Sequence, residues 1–274
     1  MRIASASLRL APVVAAVLLA GCASPFGQLD ERRNQASGPG ELALDFIGPR
    51  FPNVVVELDA VDGAGPNAQA LADFEKELEG ALGKPVTIQT SKDVRGRGAT
   101  HAYTLAEIND LELKYRSRYT DGDTAALYVL FLDGGFEAEG ALGVAYHGSS
   151  VAMLKGTIRK NTQADDQIIP TPSTLGKPKE RFVERAVLVH EFGHNLGLVN
   201  NGIPMVRPHE MTQDPVGETS DNEGEKHSKS DASVMFWAVD TFEVTNLFSS
   251  GEDIPSHFDA DDKADIKNAR SIER

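Results

Sequence analysis

Residues Glu180 to Val199, ERFVERAVLVHEFGHNLGLV, run without a proline and carry Phe182, Val183, Ala186, Val187 and Val189 ahead of two histidines. A segment of that length and apolar content reads as a buried helix of about 20 residues, so the rest of the chain must fold around it. Positions four apart share a helix face, so His190 and His194 can present ring nitrogens to one ion. Glu191 is displaced by one position, and its carboxylate falls beside such an ion rather than on it. Zinc with three protein ligands keeps a water as its fourth and lowers that water's pKa toward about 7. A neighbouring carboxylate can take the water's proton and later hand it to a leaving amine. His190 and His194 are therefore candidate zinc ligands and Glu191 a candidate general base. The bland alternative is a pair of ordinary helix histidines with a surface carboxylate.

The N-terminus opens MRIASASLRLAPVVAAVLLAGCASPFGQ. Arg2 and Arg9 precede an apolar run, Leu10 to Ala20, that is shorter than the roughly 20 residues a bilayer span requires. It reads as a secretory signal. Its end, Leu19-Ala20-Gly21-Cys22, resembles the lipobox of bacterial lipoproteins, which implies cleavage after residue 21 and a lipid on Cys22. Cys22 is the only cysteine, so the mature chain is expected to have no disulfide and no cysteine metal site. The expected location is outside the cytoplasm, anchored to a membrane by the lipid. The formal charge is −14, and the leader carries two positive and no negative charges, so its removal leaves −16. That balance argues against nucleic acid as a partner.

Residues 22–50 are polar and dotted with Gly and Pro, and read as a flexible tether. A single domain is expected over residues 51–274. Its first strand is Asn53 to Val61, a β-branched run. Ala70, Leu71, Phe74, Leu78 and Leu82 then fall at helical spacing, with Gly83 as the stop. KPVTIQTS reads as a second strand. Thr104 with Glu107 three residues on is a capping-box pattern opening a second helix. Ala125 to Gly134 is the most apolar strand and the expected centre of the sheet. The β-α-β-α-β order predicts an α/β (or α+β) fold with a largely parallel sheet covered by helices. ALGVAYHGSSVAMLKG supplies an edge strand and its neighbour. HFDADDKADIKNA reads as a C-terminal helix begun at Ser256, its acidic run placed at the helix N-terminus. His101, His147 and His257 read as ordinary residues.

His190-Glu191-x-x-His194-x-x-Gly197 resembles the signature of the metzincin clan of zinc endopeptidases. The resemblance implies a zincin domain with a mixed, twisted sheet, an antiparallel edge strand, an active-site helix and a C-terminal helix. It implies a peptide or protein substrate, bound extended along the edge strand near Leu142 to Ser150. It further implies that Gly197 turns the chain out of the helix, and that Met235 in SVMFW forms the Met-turn beneath the metal. The clan's third-ligand position is occupied here by Asn200, a poor zinc ligand. The third ligand is therefore sought in the following loop. His209 is the first choice, because Pro208 stiffens the backbone before it. His227, eight residues ahead of Met235, is the alternative, and Glu210, Asp214, Glu218 and Asn200 stand behind them. The expectation as a whole is a lipid-anchored, monomeric, zinc-dependent endopeptidase. Its alternative is a non-catalytic metal-binding lipoprotein that keeps a protease fold.

Overall fold

β4 (Thr124–Leu132) lies at the middle of a five-stranded sheet of order β2-β1-β4-β7-β6 in a computed structural model describing residues 33–90, 94–211, 226–248 and 251–272. β1 (Asn53–Ala60) pairs in parallel with β2 (Val86–Thr90) on one side and with β4 on the other. β4 pairs in parallel with β7 (Ser150–Leu154), and β6 (Gly143–His147) closes the sheet as an antiparallel edge. The chain is thus mixed α/β, with a mostly parallel sheet and one antiparallel edge strand, as the element order predicts. A separate pair of two-residue strands, β3 (Ala102–Tyr103) and β5 (Gly135–Phe136), flanks it.

Side chains alternate across a strand, and β4 is apolar on both faces. Leu127, Val129 and Phe131 enter one core layer, and Tyr128, Leu130 and Leu132 the other. A central strand covered on both sides needs such a continuous apolar run. The first layer is covered by α2 (Ala68–Leu82) and α5 (Glu180–Asn195), with Phe74 and Phe192 meeting edge to face at 6.2 Å. The second layer is covered by α3 (Leu105–Tyr115) through Ile108. Both bonds of the Thr104–Glu107 capping box are formed. The Asn67 side chain caps α2 by accepting from the backbone of Gln69 and Ala70. α4 (Lys155–Asn161) leaves β7 with Lys155 buried between Glu180 and Glu184 of α5.

Three boundaries depart from the sequence expectation. The tether does not extend to residue 50. Asn34 is buried and donates to Ser149 Oγ at 2.7 Å, and α1 (Ala43–Ile47) buries Phe46 and Ile47 completely. Phe46 meets Phe192 of α5 edge to face at 5.4 Å. Burying side chains of this size is worth about 1.5–3 kcal/mol each, so the folded body begins no later than residue 33. The long helix α5 stops at Asn195, four residues before Val199. Gly197 (φ 70°), Val199 (φ 50°) and Asn200 (φ 62°) are all left-handed, a conformation that costs little only for glycine and asparagine. After the short helix α6 (Val244–Leu247), the C-terminal helix, α7 (Ala260–Ile272), starts after Ser256, because Asp259 supplies the cap by accepting from Asp261 and Asp262 N–H. Among the described residues no helix is long and apolar enough to cross a membrane. The leader, Cys22, Asp214 and Glu218 lie outside the described residues.

Candidate metal centre

α5 carries His190, Glu191 and His194 inside the molecule, with His190 and Glu191 both nearly inaccessible to solvent. His190 Nδ1 lies 2.7 Å from Val234 O, an acceptor only, so that nitrogen carries the proton and Nε2 presents its lone pair. His194 Nε2 stands 3.1 Å from His190 Nε2. Burial lowers the His190 pKa to about 4, against the opposing charge of Asp240, and burial holds His194 well below its ordinary value. Both rings are therefore neutral near pH 7, the form in which imidazole binds a metal.

The third imidazole is that of His227. Its ring stacks on His190 at 5.2 Å and meets His194 edge-on at 5.1 Å. Two backbone pairings put it there. Met211 N–H donates to His227 O and Lys229 N–H to His209 O, joining 209–211 to 227–229, while Ser228 N–H donates to Met235 O. The segment bearing His227 is thus clamped between the earlier loop and the Met235 turn. A fourth group completes the cluster. Asp240 closes a 3-10 turn, Trp237–Asp240, and its Oδ2 lies 3.8 Å from Nε2 of both His190 and His227. Ligand atoms of His190, His194, His227 and Asp240 all fall within 4.8 Å of one another. Zinc bonds of about 2.0–2.1 Å set tetrahedral ligand separations of roughly 3.3 Å, and the three separations given, 3.1, 3.8 and 3.8 Å, scatter about that value. Asp240 Oδ1 is buried without a hydrogen-bond partner, a cost that a bound cation would relieve. Three imidazoles with one carboxylate are a donor set suited to zinc.

His209, the first choice from sequence, is not in this cluster. Its Nδ1 donates to Arg207 O, and its Nε2 faces Asp262 Oδ1 at 3.5 Å and Asp265 Oδ2 at 3.7 Å on α7. The Asp262 carboxylate raises the His209 pKa to about 9 despite burial, so the ring is an ion-pair partner rather than a neutral donor. Asn200 also turns away, donating to Glu210 Oε2, and Glu210 accepts a second bond from Lys226 N–H. His101 and His257 pair with Glu107 and Glu77 respectively. His147 is partly buried at the end of β6, and its carbonyl accepts from Asn195 Nδ2.

Glu191 is not one of the clustered groups. Its Oε2 accepts from Ala145 N–H of the edge strand at 2.7 Å, and Oε1 is buried without a partner. Burial first, and then the charge of Asp240, push its carboxyl well above the usual range. Gly143 makes room for it, since a Cβ there would come within 2.6 Å of Glu191 Oε1. Gly193 does the same for the methionine turn. A Cβ at that position, between the two helix histidines, would lie 2.1 Å from Met235 Sδ. Met235 is fully buried against the helix face that carries them. Asp240 was not foreseen from sequence. Its one available signal is that it is the only carboxylate between Met235 and Glu243.

No family model matches the chain, and no curated protein does. Two solved structures are similar to it. One is the crystal structure of archaemetzincin from Methanopyrus kandleri, with a TM-score of 0.47 and 15% identity over 82% of this chain and 99% of that one. The other is metalloproteinase-II from Bacteroides fragilis, with a TM-score of 0.43 and 13% identity over 83% of this chain and 55% of that one.

Proposed function

We propose that the chain is a zinc-dependent endopeptidase with a metzincin-like domain, in which His190, His194 and His227 hold the ion and Glu191 is the general base and then the acid. The observation that carries this reading is the meeting of three imidazoles from two distant segments, beside a buried glutamate that is not one of the clustered groups. Zinc, when bound, would supply an activated water and polarise a peptide carbonyl. The Val234 carbonyl keeps His190 in the tautomer that offers Nε2. The Ala145 N–H fixes one oxygen of Glu191, which leaves Oε1 to take up a proton and pass it to the leaving amine. Burial raises the affinity of Glu191 for that proton. An extended peptide would pair antiparallel with the β6 edge.

Elemental analysis tests the ligand set directly. The wild type should hold about one zinc per chain, His227→Ala should lose it, and His209→Ala should keep it, because a zinc site lacking one of three imidazoles binds far more weakly. Zinc retained by His227→Ala but lost from His209→Ala would restore the reading made from sequence. A second reading, a metal-binding protein without hydrolytic activity, is favoured by Asp240, whose carboxylate makes a fourth donor. It predicts no peptide hydrolysis by the zinc-loaded wild type and no functional effect of changing Glu191.

We also propose that residues 1–21 are removed, that Cys22 carries a lipid, and that the domain works as a monomer on the outer side of a membrane. The lipobox-like Leu19-Ala20-Gly21-Cys22 supports this. Cys22→Ser should move the protein from the membrane fraction to the soluble one, and unchanged membrane association would sink the idea.

A further inference from the structure

The turn that carries Asp240 also lies along the open side of the sheet. Just ahead of β6, Leu142 donates its N–H to Asp240 O at 2.7 Å and Phe242 donates to Gly140 O at 3.1 Å. Between these bonds, Ala141 and Thr241 form an antiparallel bridge. A peptide bound by strand addition would use the same edge and the same antiparallel sense. Residues 240–242 therefore hold the first rungs of the position a substrate would take. Their first side chain reaches the histidine cluster, with Oδ2 at 3.8 Å from two of the ring nitrogens. Three imidazoles with a free position suit hydrolysis, whereas three imidazoles with a carboxylate make a closed tetrahedral set.

We propose that Asp240–Phe242 is a built-in strap that closes the metal centre at rest, Asp240 filling the fourth ligand position and the strap backbone filling the head of the substrate groove. The inference rests on the metallopeptidase reading above and concerns the regulation of that site. An entering peptide displaces both parts together, because it replaces the strap's backbone bonds with its own and takes the position opposite the histidines. The exchange conserves hydrogen bonds, so it costs little net free energy. It also requires little movement of the body, since the strap is three residues long and Phe242 is partly exposed.

The test uses the whole chain loaded with cobalt(II), whose visible absorption reports a fourth ligand independently of turnover, and acetohydroxamate as a probe of an open position. Asp240→Asn weakens the carboxylate ligand. Phe242→Pro removes the N–H that donates to Gly140 and leaves every metal-facing side chain intact. Thr241 before it is extended (φ −116°, ψ 163°), as a residue preceding proline should be. If the strap is open about one tenth of the time, both variants should bind the probe about tenfold more tightly than the wild type. Their hydrolysis of an unstructured peptide should rise in step, and their cobalt spectra should shift toward the probe-bound form at lower probe concentration. Equal probe affinity in all three proteins, or a loss of peptide hydrolysis in both variants with metal still bound, overturns the strap while leaving the metal centre standing. A wild type that takes up no cobalt overturns the metal-centre reading and the strap with it.

Discussion

Glu191→Gln should keep its zinc and lose peptide hydrolysis by about 10²–10⁴-fold, the usual contribution of a positioned proton carrier. Glutamine preserves the shape of the side chain and can still accept from Ala145 N–H at the edge strand, so the geometry of β6 and α5 should survive. It cannot take a proton at the position of Oε1, which is the atom without a partner. The substitution should cost little stability. Burial penalises the charged form of this carboxyl, and a neutral amide in its place avoids the penalty of burying a charge. The measurements are zinc content, urea midpoint and turnover of a quenched fluorescent peptide on the same preparation. Activity undiminished in Glu191→Gln would remove the base from the mechanism. Activity lost together with the zinc would show that Glu191 acts on the site's integrity instead.

The second large effect is on stability and concerns His209. His209→Ala should destabilise the fold by about 3–5 kcal/mol at pH 6, the cost of removing one partner from a buried ion pair, while zinc content stays unchanged. Asp262 and Asp265 are both fully buried, and the ring lies within 3.7 Å of each. The same contact makes a pH prediction. The His209 pKa rises to about 9 in the folded protein, from about 6.5 in an unfolded chain, so folding takes up a proton in this interval. The stabilisation is complete below about pH 6.5 and is lost as the pH rises through about 9. Urea unfolding at pH 6 and pH 9.5 should therefore show a gap between wild type and variant that narrows at the higher pH. A gap independent of pH would mean that the ring acts by packing alone.

The elements legible in the sequence are those whose residues carry their own local reason. β4 announces itself because both of its faces are apolar, and α3 because Thr104 and Glu107 cap each other. His190, Glu191 and His194 are legible because helix geometry alone relates them. His227 is not, because its position depends on which loop residues pair with 209–211 and with Met235, and that pairing is tertiary. The proline before His209 is a local argument for the other side of the same pairing, where the ring faces Asp262 and Asp265. Asp240 carries only a faint local signal, as the one carboxylate between Met235 and Glu243, and a single aspartate five residues past a methionine has no required partner. The packed segment before residue 50 is hidden in the sequence for a different cause. Leu42, Ala43, Phe46 and Ile47 have helical spacing, but glycine and proline on either side mask so short an amphipathic turn.

That packed N-terminal segment decides how far the proposed lipid anchor would let the protein reach. With a lipid on Cys22 as proposed, eleven residues, 22–32, would separate it from the described body, a contour of at most about 40 Å at 3.3–3.6 Å each. A leash running free to residue 50 would have reached roughly 100 Å by the same measure. By docking Asn34 and Phe46 onto the body, the chain gives up more than half of that reach. Were Cys22 lipidated as proposed, the domain would be held close to the bilayer surface, and the peptides within its reach would be those near the membrane.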